Sequence, residues 1–254
     1  MLKKQLYFRT ILFFFSIVWF TFSYGEGVLT FPSKDGLQIT LDSYITTVDK
    51  RPLIVLFHQA GYSRGEYIEI APKLNKLGFN ALAVDLRSGK EANGVVNQTA
   101  KHARKAGKGT SYVDAEQDVI AALEYARSLV GDEVKIIAWG SSYSAALVLK
   151  VAGDHPKLAN AVMAFSPGEY FKKSGKPKGW IQKSAKLYTR SVFITSAKSE
   201  IKQWSAIFNA INSKKKVSFL PKGKGKHGSK ALWEKSKGSD EYWVAVNRFL
   251  KSIK

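Results

Sequence analysis

The stretch Lys135-Ile136-Ile137-Ala138-Trp139-Gly140-Ser141-Ser142-Tyr143-Ser144-Ala145-Ala146 constrains the fold more than any other. An apolar run suited to a buried strand meets Gly140 without a linker. Small and branched apolar residues suited to a helix follow at once. Passing from strand to helix in so few residues requires a tight, strained turn. Residues two positions either side of its apex must be small, because their backbones pack against their neighbours. Gly140 and Ser144 hold those positions, so Ser142 is at the apex. A serine there stands exposed above the carboxyl edge of a sheet and is a candidate nucleophile. The N–H of Tyr143 opens the following helix, at the positive end of its dipole, and is a candidate donor to an oxyanion. The competing reading is a serine-rich helix cap of the kind any strand–helix junction can carry.

The rest of the chain supplies a matching frame. Strands alternate with helices, the pattern of a mostly parallel sheet with helices on both faces. Residues 28–31 and 37–44 predict an opening hairpin around Lys34-Asp35-Gly36. Residues 53–57 form a continuous apolar run suited to a buried parallel strand. Ser63 and Glu66 have capping-box spacing and predict a helix running to Leu77. Strands are expected at 79–84, 134–139, 159–165, 191–195 and 217–220. Helices are expected at 113–129, 142–152, 202–211 and 240–253. Residues 90–112 are polar, rich in Gly and Lys, and read as a long loop. Residues 171–190 read as a basic insertion with Gly and Pro. No internal repeat and no second apolar core is evident, so 26–254 is expected to be one domain.

Residues 1–25 have a different character. Lys3, Lys4 and Arg9 precede an apolar run over 11–22 broken only by Ser16 and Thr21. This is the layout of a secretory signal peptide, with Ser23 and Gly25 as the small residues before a cut at Glu26. The run is shorter than the ~20 residues of a spanning helix, and an uncleaved N-terminal anchor is the alternative. Export to the periplasm or the medium is the expected localisation. The whole chain carries 40 Lys and Arg against 20 Asp and Glu, a net charge of +20, and cleavage would remove three positive charges to leave +17. The basic character therefore belongs to the folded part. There is no cysteine, which excludes disulfides, thiolate metal sites and a cysteine nucleophile.

With the Ser142 turn, the alternation of elements and a second marker, Leu56-Phe57-His58-Gln59-Ala60-Gly61 after a buried strand, the chain resembles the α/β-hydrolase fold family over about residues 39–250. It looks most similar to small single-domain serine hydrolases and dienelactone-hydrolase-like esterases. The resemblance implies an α/β-hydrolase sandwich with a short insertion after the sixth strand, near 166–190. It makes the Ala60 N–H the second oxyanion donor, with Gln59 in place of the usual glycine and His58 a structural wall residue. The family order of serine, acid and histidine puts the base late in the chain. Of four histidines, His102 lies in a basic loop and His155 precedes Pro156, which leaves His227 in Lys226-His227-Gly228-Ser229. The acid position follows the 191–195 strand, where Glu200 is the carboxylate present. Glu169, after the preceding strand, is the alternative acid. Asp85 and Arg87 are expected to form a structural ion pair supporting the oxyanion loop.

The reaction implied is acyl transfer from a carboxylic ester through an acyl-enzyme, with no cofactor and no metal. A serine at the apex departs from the aspartate of epoxide hydrolases and haloalkane dehalogenases, and from the cysteine of dienelactone hydrolases. An insertion of about 25 residues is too short for a deep lipase-type tunnel, so a small or medium substrate is expected. The lysines of the insertion, and Lys222, Lys224 and Lys226 beside His227, would favour an anionic one. The competing function is a catalytically inactive hydrolase-fold protein that binds anionic envelope components. A third is electrostatic attachment to an anionic envelope surface with catalysis retained. No stacking platform or helix-turn-helix pattern supports nucleic-acid binding. Oligomeric state is not encoded in any feature of the chain.

Overall fold

The computed structural model describes residues 27–46 and 50–254. The expected signal segment, residues 1–25, lies outside the described residues. Eight strands build one sheet: β1 (Gly27–Pro32), β2 (Gln38–Tyr44), β3 (Leu53–Phe57), β4 (Asn80–Val84), β5 (Ile136–Ser141), β6 (Ala161–Phe165), β7 (Ser191–Thr195) and β8 (Lys216–Phe219). Their order across the sheet is β1-β2-β4-β3-β5-β6-β7-β8. β1 and β2 are antiparallel to their neighbours, and β3 to β8 run parallel. Strand order reverses between β3 and β5, so a crevice opens above their carboxyl ends.

The central strands read as unbroken apolar runs because both of their faces are covered. Alternate residues of β3 divide between two cores: Leu53, Val55 and Phe57 face one, Ile54 and Leu56 the other. The first core is closed by α3 (Glu116–Val130), α4 (Tyr143–Asp154), α5 (Trp180–Ala185) and α6 (Ile201–Ala210). The second is closed by α1 (Ile70–Lys76) and α7 (Ser239–Ile253). The mostly parallel, doubly covered sheet expected from the sequence is thus the observed one.

Three local expectations are corrected. The helix expected over 63–77 is broken into a 3₁₀ turn, Arg64–Tyr67, and α1. Ser63 caps the turn through Gly65 N at 3.1 Å. In a continuous helix Pro72 would sit in the interior and clash with the carbonyl four residues back; the break puts it in the first turn of α1, where no N–H bond is lost. The loop expected over 90–112 contains a two-stranded ribbon, Glu91–Ala92 with Val95–Val96, and α2 (Gln98–Lys105). Asn97 caps α2 by accepting from Ala100 N at 2.8 Å. The basic insertion carries a 3₁₀ turn, Lys172–Ser174, and α5. It is anchored to the flank of α4: a Cβ on Gly153 would lie 1.9 Å from the Ser184 carbonyl oxygen, so the two backbones touch.

Candidate active site

Ser142 sits between β5 and α4 at φ 61°, ψ −119°. A non-glycine residue held there costs of order 1–3 kcal/mol and persists only where its surroundings enforce it. The Ser142 N–H donates to Phe165 O of the adjacent strand at 2.7 Å. A Cβ on Gly140 would meet Ser144 O at 2.4 Å and Ala145 N at 2.5 Å, so only glycine lets β5 come this close to the first turn of α4. At Ser144, the other position that must be small, the side chain has a use. Its Oγ accepts from Ser141 N and donates to Phe57 O, both at 2.8 Å, tying the turn to β3.

Beside Ser142 Oγ, at 2.8 Å, lies His227 Nε2. On its other side His227 Nδ1 lies 2.6 Å from Glu200 Oε1. An ionised carboxylate can only accept, so Nδ1 carries the proton and Nε2 is free to accept from the serine hydroxyl. Glu200 closes a 3₁₀ turn, Lys198–Glu200, just past β7. Partial burial works against its charge, but hydrogen bonds from His227 and Ser166 outweigh this and hold its carboxyl below the ordinary range. Ser166 Oγ donates to Glu200 Oε2 at 2.7 Å and accepts from Gly228 N at 2.9 Å, linking Glu200 to the loop of His227. Ser166 is itself at φ 57°. The hydroxyl of Tyr170, which donates to Ser166 O at 2.7 Å, lies beside the Ser142 side chain.

The two expected oxyanion donors are placed symmetrically. Phe57 of β3 is in register with Gly140 of β5, and Ala60 and Tyr143 each follow three residues later. Neither N–H has an intramolecular acceptor among the described residues. His58, fully buried, is a wall residue: its Nδ1 pairs with Gln59 O and its Nε2 accepts from Leu86 N, both at 2.9 Å. Burial pushes its pKa down, which favours this neutral form.

Below this layer lies a polar network that the sequence reading misses. Glu66 is fully buried. One carboxylate oxygen accepts from Gln59 N and the other from Ser141 Oγ, each at 2.7 Å. Ser141 Oγ in turn accepts from Ser229 N at 2.8 Å. One carboxylate therefore joins the Gln59–Ala60 loop, the residue before Ser142 and the loop of His227. Loss of water pushes the Glu66 pKa up to about 7, although both hydrogen bonds oppose the shift. Gly228, at φ 71°, completes the closeness: a Cβ there would lie 2.5 Å from Gln59 Oε1 and 2.6 Å from Ser141 Oγ.

Glu169 is not beside the histidine. Its two oxygens accept from Ile181 N at 3.1 Å and Gln182 N at 2.9 Å, so it caps α5. Asp85 and Arg87 do not pair with each other. Asp85 takes Arg64 at 2.8 Å, while Arg87 takes Asp118 at 2.7 Å and Asp35 at 2.9 Å. Both lie past the end of β4, and each meets a partner from another element: Asp85 the 3₁₀ turn that carries Arg64, and Arg87 both Asp118 of α3 and Asp35 of the opening hairpin.

An eight-stranded sheet of this order, with a serine turn above its carboxyl edge, defines an α/β hydrolase. Residues 48–216 match the family model described as serine aminopeptidase, S33, and the chain belongs to that family. Among solved structures, an esterase of Pyrococcus furiosus superposes with a TM-score of 0.69 at 16% identity, covering 91% of this chain and 93% of that one. A dienelactone hydrolase from Anabaena variabilis gives 0.66 at 12% identity, covering 90% and 98%. Esterase 2 of Thermogutta terrifontis, in a form phosphonylated by cyclosarin, gives 0.63 at 17% identity, covering 90% and 94%. No curated protein matches the chain by sequence.

Proposed function

We propose that the protein is a serine esterase that cleaves small or medium carboxylic esters, in which Ser142 is the nucleophile, His227 the base and Glu200 the acid. The observation that carries this reading is the continuous relay from Ser142 Oγ through both nitrogens of His227 to Glu200, at 2.8 and 2.6 Å. Ser142 Oγ attacks the ester carbonyl carbon as His227 Nε2 takes its proton. Glu200 stabilises the imidazolium without itself being protonated. Charge gathers on the former carbonyl oxygen, and the Ala60 and Tyr143 N–H groups receive it. His227 returns the proton to the leaving alcohol. Water then repeats the sequence on the acyl-enzyme and restores Ser142. Export is part of the proposal and rests on the basic, then apolar, segment at 1–25.

Ester rather than amide cleavage is supported by the esterases among the structural neighbours, while the family description names an aminopeptidase. A panel of p-nitrophenyl esters of increasing acyl length, run beside aminoacyl p-nitroanilides, tests this. Turnover of short esters that is lost in Ser142→Ala supports the reading. Turnover confined to the anilides would replace esterase by aminopeptidase. No turnover of either would favour an inactive protein that binds anionic envelope components.

A further inference from the structure

The edge of the sheet opposite Ser142 carries charge that the proposed catalysis does not use. Parallel strands enter the sheet through basic residues: Arg51 shortly before β3, Lys135 before β5, Arg190 before β7 and Lys214-Lys215 before β8. These positions are brought together by topology, because the amino ends of parallel strands share one edge. Two adjoining concavities open there. One, of about 700 Å³, is lined by Lys135, Arg190, Lys214 and Lys215 together with hydroxyl and amide groups, and by no carboxylate side chain. The other, of about 680 Å³, shares Lys135 and adds Lys50, Arg51, Lys76 and Lys254 against the single carboxylate side chain of Glu133.

Among the described residues, Arg190, Lys214 and Lys215 are in ion pairs with no carboxylate side chain, whereas Arg64, Arg87 and Lys150 elsewhere in the fold are each paired twice. Lys135 Nζ bonds main-chain oxygens of Ile253 and Lys254. Helix dipoles account for cations at helix carboxyl ends such as Lys76, but not for those at strand entries.

The start of the described chain selects the partner. Gly27 is in register with Ser43, and Ser43 with Leu82 in the middle of β4, so β1 runs in the same direction as β4 and points away from this basic edge, which lies two residues behind its start. Phe22, the end of the apolar run, is five residues from Gly27, a reach of at most about 18 Å in a fully extended chain. Where the segment is retained as an anchor, an apolar run held in a bilayer is joined to the sheet from the side of this edge, because β1 points away from it.

We infer that the amino edge of the sheet, around Arg190, Lys214 and Lys215, is a docking face for anionic phospholipid bilayers, on which the protein sits with Ser142 turned to the aqueous side. Headgroup phosphates would occupy the two concavities, and the sheet would stand on end with its catalytic crevice away from the surface. The inference does not depend on the esterase reading.

The absence of cysteine allows a direct test with the full chain. An environment-sensitive fluorophore is attached at Asn212→Cys, on the first concavity, or at Lys224→Cys, in the loop that leads to His227. Vesicles of phosphatidylcholine with 30% phosphatidylglycerol are compared with phosphatidylcholine alone. The label at 212 should blue-shift further on the anionic vesicles than on phosphatidylcholine alone, and the label at 224 should not respond. About 0.5 M salt should reverse the shift, because exposed charges are then screened. Arg190→Glu/Lys214→Glu/Lys215→Glu should weaken binding to anionic vesicles at least about tenfold. Lys214→Gln/Lys215→Gln, a milder change, should weaken it less, and thermal melting checks that both variants fold. The inference is overturned if the label at 224 responds in place of that at 212. It is equally overturned if charge reversal leaves binding unchanged, or if glycerol phosphate in solution shifts the label while vesicles do not.

Discussion

At the scale of single residues, the site is held by groups that each satisfy a neighbour's need. Glu200 fixes the tautomer of His227, and Glu200→Gln should lower kcat/KM for a p-nitrophenyl ester by about 10²–10⁴, the order seen when a triad acid loses its charge. Glu169→Gln should leave kcat/KM within about twofold and instead lower stability by roughly 0.5–2 kcal/mol, the cost of weakening a helix cap. The opposite ranking in steady-state kinetics would move the acid to the earlier loop. Glu66 makes a prediction of a different kind. Its folded pKa, about 7, lies above its ordinary 4.5. Between those values Glu66 binds more protons in the folded state than in the unfolded, so its contribution to stability falls as pH rises from about 4.5 to about 7. Glu66→Gln should flatten that slope in urea titrations repeated across this range; an unchanged slope would mean that Glu66 titrates normally. Ser142, Tyr143 and His227 were legible in the sequence because a tight turn restricts its residues and few histidines were available. Glu66, Ser141 and Ser166 were not, because their roles arise where three loops distant in sequence meet. The spacing of Ser63 and Glu66 even pointed to a reciprocal cap, yet the Glu66 carboxylate turns inward to Gln59 and Ser141.

At the scale of elements, the close approach of β5 to α4 is what places Ser142. Gly140→Ala would push a Cβ into the Ser144 and Ala145 backbone. We expect a loss of about 1–3 kcal/mol, as for overpacking elsewhere, with activity falling alongside because the turn must open. Gly223→Ala is the matched control: nothing lies within 4 Å of its Cβ position and its φ is not positive, so its effect should stay within about 0.5 kcal/mol. Chemical denaturation of both variants checks the pair, and equal losses would remove the packing explanation. The buried parallel strands were readable because both faces need apolar side chains, which leaves uninterrupted runs. α2 was not readable. Its sequence, Gln98-Thr99-Ala100-Lys101-His102-Ala103-Arg104-Lys105, presents only Thr99, Ala100 and Ala103 to the interior, too narrow an apolar stripe to stand out from a polar loop. α5 escaped for a related reason, being a six-residue helix that depends on the flank of α4 and on the Glu169 cap.

At the scale of the whole molecule, the excess of positive charge has two separate settings, the loops around His227 and the opposite edge of the sheet. If Lys222, Lys224 and Lys226 steer substrates toward the crevice, kcat/KM for an ester bearing a free carboxylate should fall as ionic strength rises, while a neutral ester of the same size should be unaffected. Equal salt dependence for both would assign those lysines to general surface solvation. The sheet order, the strained turn and the relay from serine to glutamate all converge on one claim, that Ser142 is a nucleophile activated by His227. The most direct test is to expose the protein to a fluorophosphonate and locate the adduct by mass spectrometry of peptides. The account predicts a single stoichiometric adduct on Ser142, absent from Ser142→Ala and formed at least about 10²-fold more slowly in His227→Ala. Labelling that persists undiminished in Ser142→Ala, or that maps to another residue, would contradict it.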